Sequence, residues 1–264
     1  RSRAHQQGDA HAADAYGIVS GEPGVCMATS GPGATNLVTG LADANMDSDP
    51  VVALTGQVPT DFVGSDAFQE TDTIGVTRPI TKENTFASSP DEVGDDVSEA
   101  FALAAEGRQG PTLVDLPKDV TNGETERRPG APETPRTYDP PERADPQSVR
   151  EAADALASAN RPVILAGGGV IKADASAELR EFAFEHEIPV ITTMPAIGAF
   201  PEDHELSLEG SGMDGTGPEN IAITNCGCLF ALPPRFDHRL ASGVETVARA
   251  PENIFASLYP PEPS

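Results

Sequence analysis

The residues of this chain able to do chemistry fall in a few short clusters. Ser30-Gly31-Pro32-Gly33 ends a short apolar run, and a glycine–proline turn ahead of a helix presents backbone N–H groups that can hold an anion. Taken alone it reads as a phosphate cradle; the competing reading is a plain turn that caps a helix. Gly167, Gly168 and Gly169 follow the apolar run PVILA, where a side-chain-free backbone can approach a nucleotide, although GxGxxG is absent. Lys118 stands just after the run PTLVDL, a place where a lone lysine is ordinarily solvated. Cys26, Cys226 and Cys228 are an odd three without zinc or redox spacing, which reads as core thiols, and no metal site is expected within the chain.

The elements that must position these groups are legible from periodicity. Gln7 to Ser20 is alanine-rich and helix-compatible, carrying His11 and Asp14, and Gly21-Glu22-Pro23-Gly24 breaks it before a strand at 25–29. Leu37, Leu41 and Ala44 recur at helical spacing, and 51–54 is a continuous apolar run, as in a strand covered on both faces. The chain then stays polar and glycine-punctuated to Asp72, at the carboxyl edge where open α/β sheets hold ligands. A helix over 91–106, with Val93, Val97 and Phe101 on one face, precedes a strand at 111–116. Six prolines then interrupt the charged stretch 122–146, the mark of a semi-rigid connector. Asp145 caps a helix with Pro146 at its first position and Val149, Ala152, Ala153 and Leu156 as its apolar face. Strands at 162–166, 188–192 and 228–232 and a helix at 174–186 complete the pattern. Strands alternating with helices make this an α/β protein of two parallel-sheet domains, 1–121 and 146–264, joined by a linker at 122–145.

Several of these stretches, in order and spacing, resemble the catalytic large subunits of acetolactate synthases. They are SGPGATN at 30–36, LTGQVP at 54–59, GSDAFQE at 64–70, RPITK at 78–82, LPKDV at 116–120, AGGGV at 166–170 and RFDHR at 235–239. The resemblance implies thiamine-diphosphate-dependent condensation of 2-ketoacids, from a truncated pyrimidine-binding domain and an incomplete Rossmann-like middle domain. It further implies an internal fragment, lacking the first strand and helix, the end of the middle domain and a carboxyl-terminal domain that holds Mg2+ and the diphosphate.

By resemblance, the family's H-E-Q-G falls on His5-Gln6-Gln7-Gly8, so Gln6 stands where a glutamate meets the aminopyrimidine ring. An amide can hydrogen-bond that ring but cannot relay a proton as a carboxyl does. Thr29, Pro32 and Asn36 match positions beside the pyrimidine, and the family places the diphosphate elsewhere, which argues against the phosphate cradle. Phe68 and Gln69 match the active-site loop, Lys118 the mouth of the substrate channel, and Arg239 a contact to the second substrate's carboxylate. Arg108, Gly167–Gly169, Thr193, Met194 and Arg235 match positions around an FAD that does no redox work. Three departures weaken that site: Pro233-Pro234 and His238 in PPRFDHR, Asp214 in GMDGT, and Ser257-Leu258-Tyr259 in place of an acidic motif.

Composition bounds the partners. The formal net charge is −25, from 42 acidic against 17 basic residues, and self-repulsion of that size points to a salt-adapted cytoplasmic protein. Nucleic acid is excluded as a partner because no basic stripe exists to displace counterions, and no apolar run is long enough to span a membrane. The resemblance adds 2-ketoacid substrates, a homodimer or tetramer and a small regulatory subunit as expected partners. The alternatives are another thiamine-dependent decarboxylase or carboligase, and a non-catalytic remnant that binds nucleotide or a partner subunit.

Overall fold

The computed structural model describes residues 5–128, 130, 140–141, 143–210, 217–234 and 252–256. The chain forms two compact units, Arg1–Pro140 and Pro141–Ser264, divided within the proline-interrupted stretch.

The first unit opens with helix α1 (Gln6–Ser20), stopped by Gly21 in the left-handed conformation at φ 72°. Strand β1 (Gly24–Ala28), the short helices α2 (Pro32–Thr35) and α3 (Val38–Asp47), and strand β2 (Val51–Gln57) follow. After a long loop come α4 (Thr73–Thr77), β3 (Glu83–Phe86), α5 (Val93–Ala105), β4 (Pro111–Pro117) and α6 (Lys118–Asn122). The four strands are parallel in the order β1-β2-β4-β3. Ala10, Ala13, Leu37, Leu41 and Ala44 pack on Cys26, Val51, Ala53 and Leu113 on one face, whereas Ala100 and Ala104 of α5 pack on Val52 and Val114 on the other. β1, an edge strand, buries Cys26 and Ala28 while Val25 and Met27 on its other face stay about half exposed or more.

The second unit contains α7 (Pro146–Ser158), β5 (Pro162–Ala166), α8 (Gly169–Lys172), α9 (Ser176–Glu185) and β6 (Val190–Thr192). It continues with β7 (Ser207–Gly210), α10 (Gly217–Asn225), β8 (Cys228–Leu232) and β9 (Glu252–Phe255). Its parallel sheet runs β7-β6-β5-β8-β9. Ile164, Ala166, Leu179, Ala183 and Val190 form one core and Val163, Leu165, Ile191, Ile223 and Leu229 the other.

Asp145 caps α7 as its sequence predicts, accepting from Gln147 N and Ser148 N. The apolar face expected on α7 is not buried: none of its residues is, and Val149 is 52% exposed. The glycine triplet is not wholly a turn, because α8 begins at Gly169. Strand β3 has no apolar run to announce it, since ENTF lies at an edge with both ends exposed. All three cysteines are buried free thiols, and burial pushes Cys26 up to about 12, so they behave as core residues.

Candidate active site at the carboxyl edge of the first sheet

Helix α1 runs back along β1, so its first residue, Gln6, arrives at the edge where β1 ends. There the Asn36 amide donates from Nδ2 to Gln6 Oε1 at 3.3 Å, across 30 residues of sequence. Asn36 lies just beyond α2, held by its own N–H to Pro32 O at 3.3 Å. Gly31, with φ 58° and ψ −115°, begins this turn in a conformation that only glycine adopts freely. A Cβ there would meet Gln69 O at 2.5 Å, so the turn rests directly on the backbone of the long loop. The geometry therefore gathers Gln6, Thr29–Asn36 and Gln69 at one edge. Phe68 is 89% exposed and Lys118 is exposed, at the start of α6.

The geometry of Ser30–Gly33 weighs against an anion cradle. α2 has four residues, and the N–H groups of Gly33, Thr35 and Asn36 bond Ser30 O, Gly31 O and Pro32 O. These donors serve the turn itself.

Beneath the loop lies a polar network that sequence reasoning missed. Asp115 on β4 is fully buried and accepts from Thr55 Oγ1 at 2.6 Å and from Gln57 Nε2 at 2.9 Å. Gln57 also donates from Nε2 to Thr71 O at 2.8 Å, while its Oε1 accepts from Val58 N at 2.9 Å, which fixes the amide's orientation. Burial pushes the Asp115 carboxyl upward, the bonds from Thr55 and Gln57 pull it back, and Asp72 adds to the rise. The signal was a run of polar residues at inward positions in the last turns of two apolar strands. Two carboxylates order the loop ends. Glu70 accepts from Gly64 N and from Ala67 N (2.9 Å), bonds that hold it below the usual glutamate range. Asp119 accepts from Thr60 N at 2.9 Å and Thr60 Oγ1 at 2.6 Å.

The described residues matched to FAD lie in both units. Arg108 is in the first unit, bonded to Ser48 Oγ at 2.9 Å and to Asn45 O. Gly167–Gly169 follow β5 in the second unit, with Thr193 donating to Ala166 O at 2.9 Å and Met194 68% exposed. A Cβ on Gly167 would meet Pro233 O at 2.4 Å, and one on Gly169 would meet the Pro233 ring at 2.4 Å. Gly168 approaches Pro195 in the same way, at 2.9 Å. The chain's own prolines thus fill the space that the glycines open. Arg235, Arg239, His238 and Asp214 lie outside the described residues, as do Ser257, Leu258 and Tyr259.

Comparison with known proteins matches stretches of both units. Residues 2–76 match the model of the thiamine pyrophosphate enzyme N-terminal TPP binding domain, and 149–258 match that of the thiamine pyrophosphate enzyme central domain. The chain is 47% identical over 262 residues to a probable acetolactate synthase large subunit of Methanocaldococcus jannaschii, covering 98% of this chain and 44% of that protein. It is 47% identical over 259 residues to the acetolactate synthase large subunit of Corynebacterium glutamicum (98% and 41%), and 49% to an acetolactate synthase of Mycobacterium bovis (98% and 42%). The chain spans less than half the length of these curated relatives.

Proposed function

Because the chain belongs to the thiamine pyrophosphate enzymes, carrying an N-terminal and a central domain of that family, we propose that it forms the pyrimidine-side part of an acetolactate synthase large subunit. The reaction proposed for the complete enzyme is decarboxylative condensation of 2-ketoacids, pyruvate to acetolactate, in branched-chain amino-acid synthesis in the cytoplasm. Among the described residues no helix is long and apolar enough to cross a membrane. The observation that carries the reading is the meeting of Gln6 and Asn36 beside the Thr29–Gly33 turn.

The donor set fits the pyrimidine end of thiamine diphosphate. Gln6 and Asn36 offer amide donors and acceptors, and Thr29 and Pro32 bound the turn beside them. The cofactor would supply the carbon that adds to the 2-keto group and holds the electron pair after carbon dioxide leaves. Gln6 would orient the ring by hydrogen bonding, and its amide cannot carry a proton to or from it. Gln69, whose backbone lies against Gly31, would stand at the same edge, with exposed Phe68 and Lys118 as the substrate-side groups. No diphosphate or Mg2+ site is assigned to these residues; both are expected on a further domain, with self-association through this edge and a small regulatory subunit. Pro195, Pro233 and Pro234 stand against the glycines of the second unit, which weighs against FAD there.

A second reading, a non-catalytic chain that binds nucleotide or a partner subunit, is favoured by Gln6; the prolines weigh against nucleotide and leave a partner subunit as its stronger form. One assay separates the two. The purified chain, given thiamine diphosphate, Mg2+ and pyruvate, is expected to yield no acetolactate, read by conversion to acetoin. In a chimera completed with an intact carboxyl-terminal domain, Gln6→Glu should raise the rate by about 10²–10⁴, the usual worth of general acid–base help. No gain in that chimera would favour the non-catalytic reading.

A further inference from the structure

A second cluster lies further along α1 from Gln6, with His11 about 7.5 Å and Asp14 about 12 Å along the helix at 1.5 Å per residue. His11 and Asp14, three apart, share one helical face, and α3 sets Asp43 opposite them. One ligand atom from each of the three lies within 4.8 Å of the other two, and His11 Nδ1 stands 3.8 Å from Asp43 Oδ2.

The backbones around this cluster are tightly fixed. A Cβ on Gly40 would meet Ala10 Cβ at 2.5 Å, and one on Gly24 would fall 1.9 Å from Ala13 O, so α1 cannot lift away cheaply. Asp14 is held there at 8% exposure; its side chain hydrogen-bonds Asp49, and its Oδ1 is buried with no hydrogen-bond partner. Its charged neighbours, Asp49, Asp43 and Asp47, are all acids. As an anion, a buried carboxyl crowded by acids is unfavourable; a proton shared with Asp49 relieves part of this, and a cation with two or more charges would relieve both the repulsion and the unpartnered oxygen.

We infer that His11, Asp14 and Asp43 form a binding site for a first-row divalent cation such as Zn2+ that clamps α1 onto α3. One imidazole and two carboxylates suit zinc or manganese better than an all-oxygen cage suited to Ca2+ or Mg2+. Ligands about 2.1 Å from a tetrahedral zinc lie roughly 3.4 Å apart, so the 3.8 Å pair needs a small inward shift and a pair at the 4.8 Å limit a larger one. The two side chains that must move can do so, because His11 and Asp43 are 42% and 57% exposed. The site is separate from any ion that would accompany a diphosphate.

The test uses the whole chain, stripped with chelator and folded in molar KCl to suppress loose association with its acidic surface. Zinc chloride is titrated by calorimetry, with melting temperature followed in parallel and cobalt(II) absorption as a probe of coordination geometry. The expected result is one saturable site per chain, a rise in melting temperature on loading, and a tetrahedral cobalt spectrum. His11→Gln and Asp43→Asn, both at accessible positions, should each weaken binding about ten-fold or more while leaving the metal-free fold intact by circular dichroism. Asp203→Asn, an exposed acid elsewhere, should leave the affinity unchanged. Absence of a saturable site, or binding that survives both His11→Gln and Asp43→Asn, overturns the assignment.

Discussion

Removing the Thr55 hydroxyl should damage the first unit far more than its size suggests. Thr55→Val keeps shape and volume, so packing at this fully buried position is nearly conserved. What disappears is the 2.6 Å bond to Asp115 Oδ1, leaving a buried carboxylate oxygen unpaired. Bonds to charged groups contribute about 1.5–3 kcal/mol, so a loss near 2 kcal/mol is expected, or roughly 6–10 °C in melting temperature for a unit of this size. The sign with pH follows from linkage. Asp115 is already raised above its unfolded value, so its share of stability is present at acid pH and falls as pH rises through the folded value. Without the Thr55 bond the folded value rises further. The variant's deficit should therefore be full above that value and shrink as pH falls through it. Thermal unfolding by circular dichroism in molar KCl, across mildly acid to mildly alkaline pH, measures both features. A loss under about 0.5 kcal/mol, or a deficit that grows toward acid, would refute the reasoning.

Three further outcomes are expected. Melting temperature should rise steeply from low to molar KCl, because a net charge of −25 repels itself until the Debye length falls to about 3 Å; a flat or falling curve contradicts this. Glu70→Gln should lower amide protection at Gly64 and Ala67, and wild-type protection there should fall as pH drops through the lowered Glu70 value; unchanged protection would show that the carboxylate does not hold the loop. Gly31→Ala should cost about 1–3 kcal/mol, since φ 58° is strained for alanine and its Cβ would strike Gln69 O, and chemical denaturation within 0.5 kcal/mol of wild type would count against that contact.

By itself the sequence determined the local parts. Continuous apolar runs marked β2, β4, β5 and β8 because strands covered on both faces need no polar alternation. Asp145-Pro146 marked a helix start because one side-chain oxygen can take two orphan N–H groups. Matched motifs placed Gln6, Thr29 and Asn36 on a helix and a turn. Periodicity reports each segment's surroundings and carries nothing about which segment supplies them. Tertiary structure decided that α7 leaves its apolar face only partly covered, that ENTF at an edge becomes β3, and that the glycine triplet meets prolines. It also decided the pairs that matter chemically. Thr55 faces Asp115 only because β2 and β4 are neighbours in that register, and Gln6 reaches Asn36 only because α1 returns its start to the carboxyl edge. Both contacts join residues 30 or 60 positions apart, set by crossover path and strand register, which no local pattern encodes.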